Sequence, residues 1–509
     1  MRRSIVLVLA LLTDAAAWAG VQPEARVFSD AKGGTLAYRF AAPTKVEAGK
    51  AYPLVVFLHG YDGYSATDEC DNESQLKTGA KHLLEGLQKP GREAFFVAPQ
   101  LPKGKNWVVW MWDRDPAPHA MTPMVPLTMV LLEGLLEKIF KECPVDRKRV
   151  VLHGCGIGGY GAWDIAQRHP DWFSELTVVC GGGGDPMRAW KIRDLPITVH
   201  QGDADTWIPP SRARGMVSAL WAMGGNVRYF EHVGRWDAPE KIDSVYANLE
   251  AMSAPPREIP HELVPAKDLT VACVYTNAAG KTLPYRLATP TTMNDARPAV
   301  DPKRKYPFVI FFHGHGAGGT DNLKQIESGG SVHFLNYWRK TGTDGFLLAP
   351  QCTEKGFWVD QHWSKPGHAL PENPSESMAL AIEIIERTMR EQPIDPDRVY
   401  VSGLSMGGFA TWDIVMRHSD WFAAALPVCG GGDPTMAWKI RELPIWTFHG
   451  NADNIVKVRR SRDMVDALWR VRGNIRYREY NGVKHNAWDA TYSNWDEVLA
   501  WFFSQRRKR

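Results

Sequence analysis

Short, continuous apolar runs alternate along this chain with longer stretches in which apolar residues recur every three to four positions. Leu54 to Leu58, Val150 to Leu152 and Ile197 to Val199 are rich in β-branched and aromatic residues, which predicts strands buried on both faces. Phe308 to Phe312, Val399 to Val401 and Ile445 to Phe448 have the same character in the second half, and Ile475 to Tyr480 is strand-like as well. Met378 to Met389 carries Ala381, Ile384, Ile385 and Thr388 at helical spacing and predicts an amphipathic helix. Strand, helix, strand, helix with unbroken apolar strands predicts an α/β fold, a mostly parallel sheet covered on both faces.

The pattern occurs twice. Trp163-Asp164-Ile165 returns as Trp412-Asp413-Ile414, and Asp171-Trp172-Phe173 as Asp420-Trp421-Phe422. Ala189-Trp190-Lys191-Ile192-Arg193 returns as Ala437-Trp438-Lys439-Ile440-Arg441, and Leu195-Pro196-Ile197 as Leu443-Pro444-Ile445. Val55-Val56-Phe57-Leu58-His59-Gly60 answers Val309-Ile310-Phe311-Phe312-His313-Gly314. The period, about 250 residues, is the size of a domain and too long for a solenoid repeat. The expectation is a tandem pair of domains, residues 20–254 and 269–509. They are joined by the spacer 255–268, which holds Pro255, Pro256, Pro260 and Pro265.

Composition narrows the class. Of 509 residues, 44% are hydrophobic and 23% charged, as in ordinary globular proteins. The formal net charge of +3 gives no case for a nucleic-acid or membrane-surface partner. Arg2 and Arg3, the apolar run Ile5 to Leu12 and the small-residue exit Ala17-Trp18-Ala19 predict a leader over residues 1–19, and hence a periplasmic or secreted protein. No apolar stretch reaches membrane-spanning length. Seven cysteines without a CxxC pair make a zinc site unexpected, and leave one or two disulfides open.

The candidate chemistry lies in the second half. Gly403-Leu404-Ser405-Met406-Gly407 has the form G-x-S-x-G between a strand and a helix, the setting of a nucleophile elbow, with Ser405 as nucleophile. Serine needs a base, and the base needs an acid to orient it. Asp453, in the loop after the strand Ile445 to Phe448, is favoured as the acid over Asp433, which reads better as a helix start before Pro434. His485, between the strand-like Ile475 to Tyr480 and a final helix over Trp495 to Phe503, is favoured as the base. His449 at a strand end and His418 within a helix are its competitors. An oxyanion requires two backbone donors, assigned to Met406 and, in the glycine-rich loop His313 to Gly319, to His315. Trp358 and Trp488 flank the candidate site and are read either as substrate contacts or as core. No metal or organic cofactor is expected.

In combination, Phe312-His313-Gly314-His315-Gly316, Ala349-Pro350-Gln351-Cys352, Trp358-Val359-Asp360, Gly403-Leu404-Ser405-Met406-Gly407-Gly408, Cys429-Gly430-Gly431-Gly432-Asp433 and His485-Asn486-Ala487-Trp488 resemble the secreted esterases related to polyhydroxybutyrate depolymerases and feruloyl esterases. The resemblance covers nearly all of residues 280 to 505. It implies two α/β-hydrolase domains, a Ser-Asp-His carboxylester hydrolase in the second, and an ester substrate that includes polymers. A serine peptidase and a non-catalytic polymer-binding protein are the alternative readings. In the first half, Gly156 falls on Ser405, Asp205 on Asp453, and no histidine falls on His485. Residues 20 to 254 are therefore expected to be a pseudoenzyme domain, with Trp107, Trp110 and Trp112 as candidate polymer contacts.

Overall fold

In the computed structural model, the described residues are 23–64, 70–87, 89, 92–109, 124–235, 239–247, 263–293, 300–327, 329–360, 362–365 and 367–507. The leader at 1–19, most of the proline-rich spacer, and Trp110 and Trp112 lie outside them. The chain forms two compact units, one drawn mainly from residues up to 247 and the other mainly from residues beyond.

The first half supplies strands β1 (Glu24–Ser29), β2 (Thr35–Ala41), β3 (Tyr52–Leu58), β4 (Phe95–Pro99), β5 (Val145–Cys155), β6 (Glu175–Val179), β7 (Ile197–Gly202) and β8 (Val227–His232). Their order is β1-β2-β4-β3-β5-β6-β7-β8. The second half supplies β9 (Val271–Thr276), β10 (Thr282–Ala288), β11 (Tyr306–Phe312), β12 (Phe346–Pro350), β13 (Ile394–Leu404), β14 (Ala424–Val428), β15 (Ile445–Gly450) and β16 (Ile475–Tyr480). Their order, β9-β10-β12-β11-β13-β14-β15-β16, is the same. In the second half β9, β10 and β12 pair antiparallel, and every pairing from β12 through β16 is parallel. All seven residues of β11 and all five of β12 and β14 are buried, as central strands between helical layers must be. The helix expected over Met378 to Met389 runs from Glu376 to Glu391. Ser375 caps it by accepting the Met378 N–H at 3.1 Å, and Ala381, Ile384, Ile385 and Thr388 are buried.

Two details differ from expectation. His418 stands at the C-terminal cap of the helix Met406–Arg417, where its ring stacks on Trp421 at 3.9 Å, so it is an end residue and not an interior one. The last helical stretch is divided: Ala487–Tyr492, a wide turn over Trp495–Leu499, then Ala500–Ser504. The cysteines are all free thiols. Among the described residues no helix is long and apolar enough to cross a membrane.

The feature that places the candidate site is the close approach of three backbones at the end of β13. Gly407 sits so near β11 that a Cβ there would lie 1.9 Å from the Phe312 carbonyl oxygen, and one on Gly403 would lie 2.3 Å from the Gly407 oxygen. The obstructing atoms are main chain and cannot swing aside. Gly407→Ala is therefore expected to lower the unfolding free energy by more than about 3 kcal/mol in urea titrations. Gly280→Ala, whose Cβ meets nothing within 4 Å but whose φ is +75°, is expected to cost only about 1 kcal/mol.

Candidate active site

Ser405 occupies the turn between β13 and the helix Met406–Arg417 with φ 55° and ψ −119°, a conformation that L residues rarely adopt. Its N–H donates to the Val428 carbonyl at 2.9 Å, and its own carbonyl accepts from Gly408 at 2.8 Å. These bonds fix the strained turn and lift the side chain out of the ladder toward the ends of the strands. In the first half Gly156 takes the same conformation, φ 53° and ψ −123°, without a side chain.

His485 lies in the loop between β16 and the helix Ala487–Tyr492, and its Nε2 is 2.8 Å from Ser405 Oγ. Its Nδ1 is 2.7 Å from Asp453 Oδ2. Asp453 follows β15, fully buried at its carboxylate, and its other oxygen accepts the N–H groups of Ile455 and Val456 at 2.8 and 3.0 Å. Burial opposes charge on Asp453. Hydrogen bonds from His449 and His485 outweigh it and hold the carboxyl well below the usual carboxylate range. The three side chains thus form one chain in which the acid is ionised, the imidazole is oriented and the hydroxyl is within proton-transfer reach. Asp433 is engaged elsewhere: it accepts from Thr435 and from the Leu370 N–H, capping the turn that begins at Pro434.

The loop after β11 brings a second set of groups to Ser405. A Cβ on Gly314 would be 3.5 Å from Ser405 Cβ, so that peptide runs beside the nucleophile. His313 is buried, and burial pushes its imidazole down to about 4, so it is neutral. Its Nε2 accepts the Cys352 N–H at 3.1 Å, which leaves the hydrogen on Nδ1, 2.6 Å from the Gly314 carbonyl oxygen. A trans peptide whose carbonyl is drawn to one side presents its N–H, here that of His315, to the other. Met406 opens the helix, and an N–H in a first turn has no intrahelical acceptor.

A cavity of about 650 Å³ opens over Ser405 and His485. His315, Trp363, Ile455 and Trp488 contribute to its lining, and Trp488 meets His485 edge-on at 5.2 Å. Trp363 and Ile455, together with Lys324 and Glu327, had no motif to announce them; they reach the cavity only through the fold. Trp358, read as a possible substrate contact, is fully buried. It packs on Phe312 and His313 and donates through Nε1 to the His313 carbonyl at 3.2 Å, so it supports the loop from behind and does not reach the cavity. Trp107 is likewise buried. Among the described residues one trio has the donors for a metal, Cys429, His449 and Asp453. Every oxygen and nitrogen of Asp453 and His449 there already has a hydrogen-bond partner.

Residues 299–500 match the phospholipase/carboxylesterase family, and the sheet and elbow of the second half are those of an α/β hydrolase. The chain is 28% identical over 203 residues to NocK of Nocardia uniformis subsp. tsuyamanensis, which is named as an esterase; this is 39% of the chain and 53% of NocK. It is 34% identical over 70 residues to poly(3-hydroxyalkanoate) depolymerase C of Paucimonas lemoignei (14% and 16%). It is 37% identical over 75 residues to the bifunctional acetylxylan esterase/xylanase of Neocallimastix patriciarum (14% and 11%). The chain therefore spans about half or less of the curated relatives it matches. Among solved structures, a thermostable esterase is 36% identical with a TM-score of 0.42, covering 47% of this chain and 64% of that one. A ferulic acid esterase of Anaeromyces mucronatus is 17% identical with a TM-score of 0.34, covering 50% and 96%.

The strain at Ser405 is measurable. Ser405→Gly and Ser405→Ala both remove the hydroxyl, but only glycine relaxes at positive φ, so the glycine variant is expected to unfold with a free energy about 1 kcal/mol higher than the alanine variant. The depressed carboxyl of Asp453 gives a pH signature. Its stabilisation is present above the ordinary carboxylate pKa and is lost as pH falls toward the folded-state value. Stability followed by urea unfolding is expected to fall below about pH 4 more steeply in the native protein than in Asp453→Asn.

Proposed function

We propose that the second half of this chain is a serine carboxylester hydrolase. Ser405 attacks the ester carbonyl while His485 Nε2 takes its proton, and Asp453 holds the imidazole in the required tautomer and stabilises its charged form. The backbone N–H groups of His315 and Met406 receive the oxyanion. His485 then gives its proton to the leaving alcohol, the acyl group stays on Ser405 Oγ, and a water activated by the same imidazole releases the acid. The reading is carried by the continuous contact of Ser405, His485 and Asp453 at 2.8 and 2.7 Å.

The cavity supports a reading of the substrate class. Its volume suits an acyl group of modest size, and the Trp363 and Trp488 rings give flat apolar surfaces, beside the polar His315 imidazole, that accept an aromatic or short aliphatic acyl chain. With matched relatives named for acetylxylan and poly(3-hydroxyalkanoate), we place acyl or feruloyl esters of polysaccharide, or polyesters, as the substrates. The first half, with Gly156 at the nucleophile position, serves as a pseudoenzyme domain.

The test is hydrolysis of nitrophenyl acetate, nitrophenyl butyrate and methyl ferulate by the full chain and by Ser405→Ala. Activity is expected in the native protein and a loss of about a thousandfold or more in the variant. Equal rates in both would remove Ser405 from the mechanism.

A further inference from the structure

Asp453 is met by two imidazoles, and only one of them has a part in the mechanism above. His449, at the end of β15, is fully buried, with Nε2 at 3.3 Å from the same carboxylate oxygen, Oδ2, that receives His485. That Nε2 is also 2.9 Å from the Val456 carbonyl oxygen. Both neighbours are acceptors, so Nε2 carries a hydrogen. On the other side of the ring, Nδ1 lies 2.7 Å from Ser461 Oγ, which lies 2.9 Å from the Gly430 carbonyl oxygen. The ring is thus fixed at both nitrogens and has no freedom to turn away from the acid. The titratable groups around it are Asp453 and Cys429, His485 beyond the carboxylate, and, opposite it in register on β16, the buried Glu479, which is ion-paired with Arg462 at 2.7 Å.

The first half supplies an internal comparison. The offset that carries Leu195-Pro196-Ile197 onto Leu443-Pro444-Ile445 carries Asp205 onto Asp453, Gln201 onto His449 and Ala213 onto Ser461. Where the nucleophile and base are gone, the second imidazole and the hydroxyl that anchors it are gone too, although the aspartate remains. The loop histidine behaves differently. His59 repeats the geometry of His313, with Nδ1 at 2.6 Å from the Gly60 oxygen and Nε2 accepting from Leu101 at 2.9 Å. A residue needed for folding is kept in both halves. His449 and Ser461 go with the chemistry.

We propose that His449, anchored by Ser461, is a positioning residue for the acid: it shares Asp453 Oδ2 with His485, fixes the carboxylate plane and tempers the negative charge presented to the catalytic imidazole. The consequence is a balance. With both imidazoles on one oxygen, His485 shares the carboxylate with a second donor, and removing that donor leaves the whole carboxylate charge facing the catalytic imidazole.

This inference rests on the catalytic reading of Ser405, His485 and Asp453, and the experiment separates the two. Native protein, Ser405→Ala, His449→Phe and Ser461→Ala are compared on nitrophenyl butyrate across pH 5 to 9, with melting temperatures recorded alongside. His449→Phe is expected to lower kcat about tenfold, to leave KM within about twofold, and to move the acid limb of kcat/KM up by about half a pH unit. Ser461→Ala, which keeps the ring but frees it, is expected to change kcat and the limb in the same directions by less. If His449→Phe does not fold, Ser461→Ala carries the test. Native kcat and an unmoved limb in the folded variants, with only the melting temperature lowered, would overturn the proposal while leaving the triad intact. Full activity in Ser405→Ala would overturn the catalytic reading itself, and His449's role with it.

Discussion

The second half is organised around a backbone contact with no room for a side chain. Where β13 turns into its helix, Gly407 lies against the Phe312 carbonyl, Gly403 against Gly407, and Gly408 against the Val428 carbonyl. This packing lets the helix start within one residue of the strand end. It forces Ser405 to positive φ, which raises its hydroxyl above the sheet, and it puts the β11 loop next to it. The hydrophobic core follows from the same contact, since β11, β14 and the last six residues of β13 must be buried on both faces for the helices to sit so near. Strain of about 1–3 kcal/mol at a single residue is tolerable only where surrounding structure over-determines it. Here the Val428 and Gly408 hydrogen bonds supply that constraint.

Much of this was legible in the sequence because it depends on rules with a local signature. Glycines at fixed spacing around a serine, between a β-branched run and a helix-compatible stretch, state the elbow almost completely. The candidate acid and base, Asp453 and His485, stand out in the sequence by their places after strands, and the fold brings them to Ser405. Other elements were less so. The strand β14 reads Ala-Ala-Leu-Pro-Val, two weak strand formers and a proline in a central position. It is a strand because the sheet requires one between β13 and β15, not because the segment prefers it. Trp358 has the composition of a substrate contact, and only its burial behind His313 shows that it supports the loop. The cavity wall was invisible for a different reason: Trp363 and Ile455 come from loops far apart in sequence and share nothing but the space they enclose.

The two halves, each taken alone, separate what the fold needs from what the chemistry needs. Strand order is the same, and the positive-φ turn is the same within a few degrees. The buried helix pair Asp164–Arg168 recurs as Asp413–Arg417, with Nε to carboxylate distances of 2.5 and 2.9 Å. In the second half Arg417 also donates to the carbonyls of Pro371 and Glu372 and so ties the helix to the loop before Ser375. These are interactions whose removal would leave buried charge without a partner, a cost that applies whether or not a domain turns over substrate.

The two elbows, one with glycine and one with serine, show what the fold itself requires at this turn. Ser405 holds a conformation that costs free energy, and the hydroxyl it exposes contributes nothing to the core. Gly156 adopts the same φ and ψ without steric cost, so the turn itself has no need of a hydroxyl. With glycine at that position, no side-chain hydrogen bond calls for an imidazole opposite. The aspartate that stands in both halves closes its own turn in each: Asp205 accepts the N–H groups of Trp207 and Ile208 at 2.9 Å, as Asp453 accepts those of Ile455 and Val456 at 2.8 and 3.0 Å, so its carboxylate has a structural role apart from any contact with an imidazole.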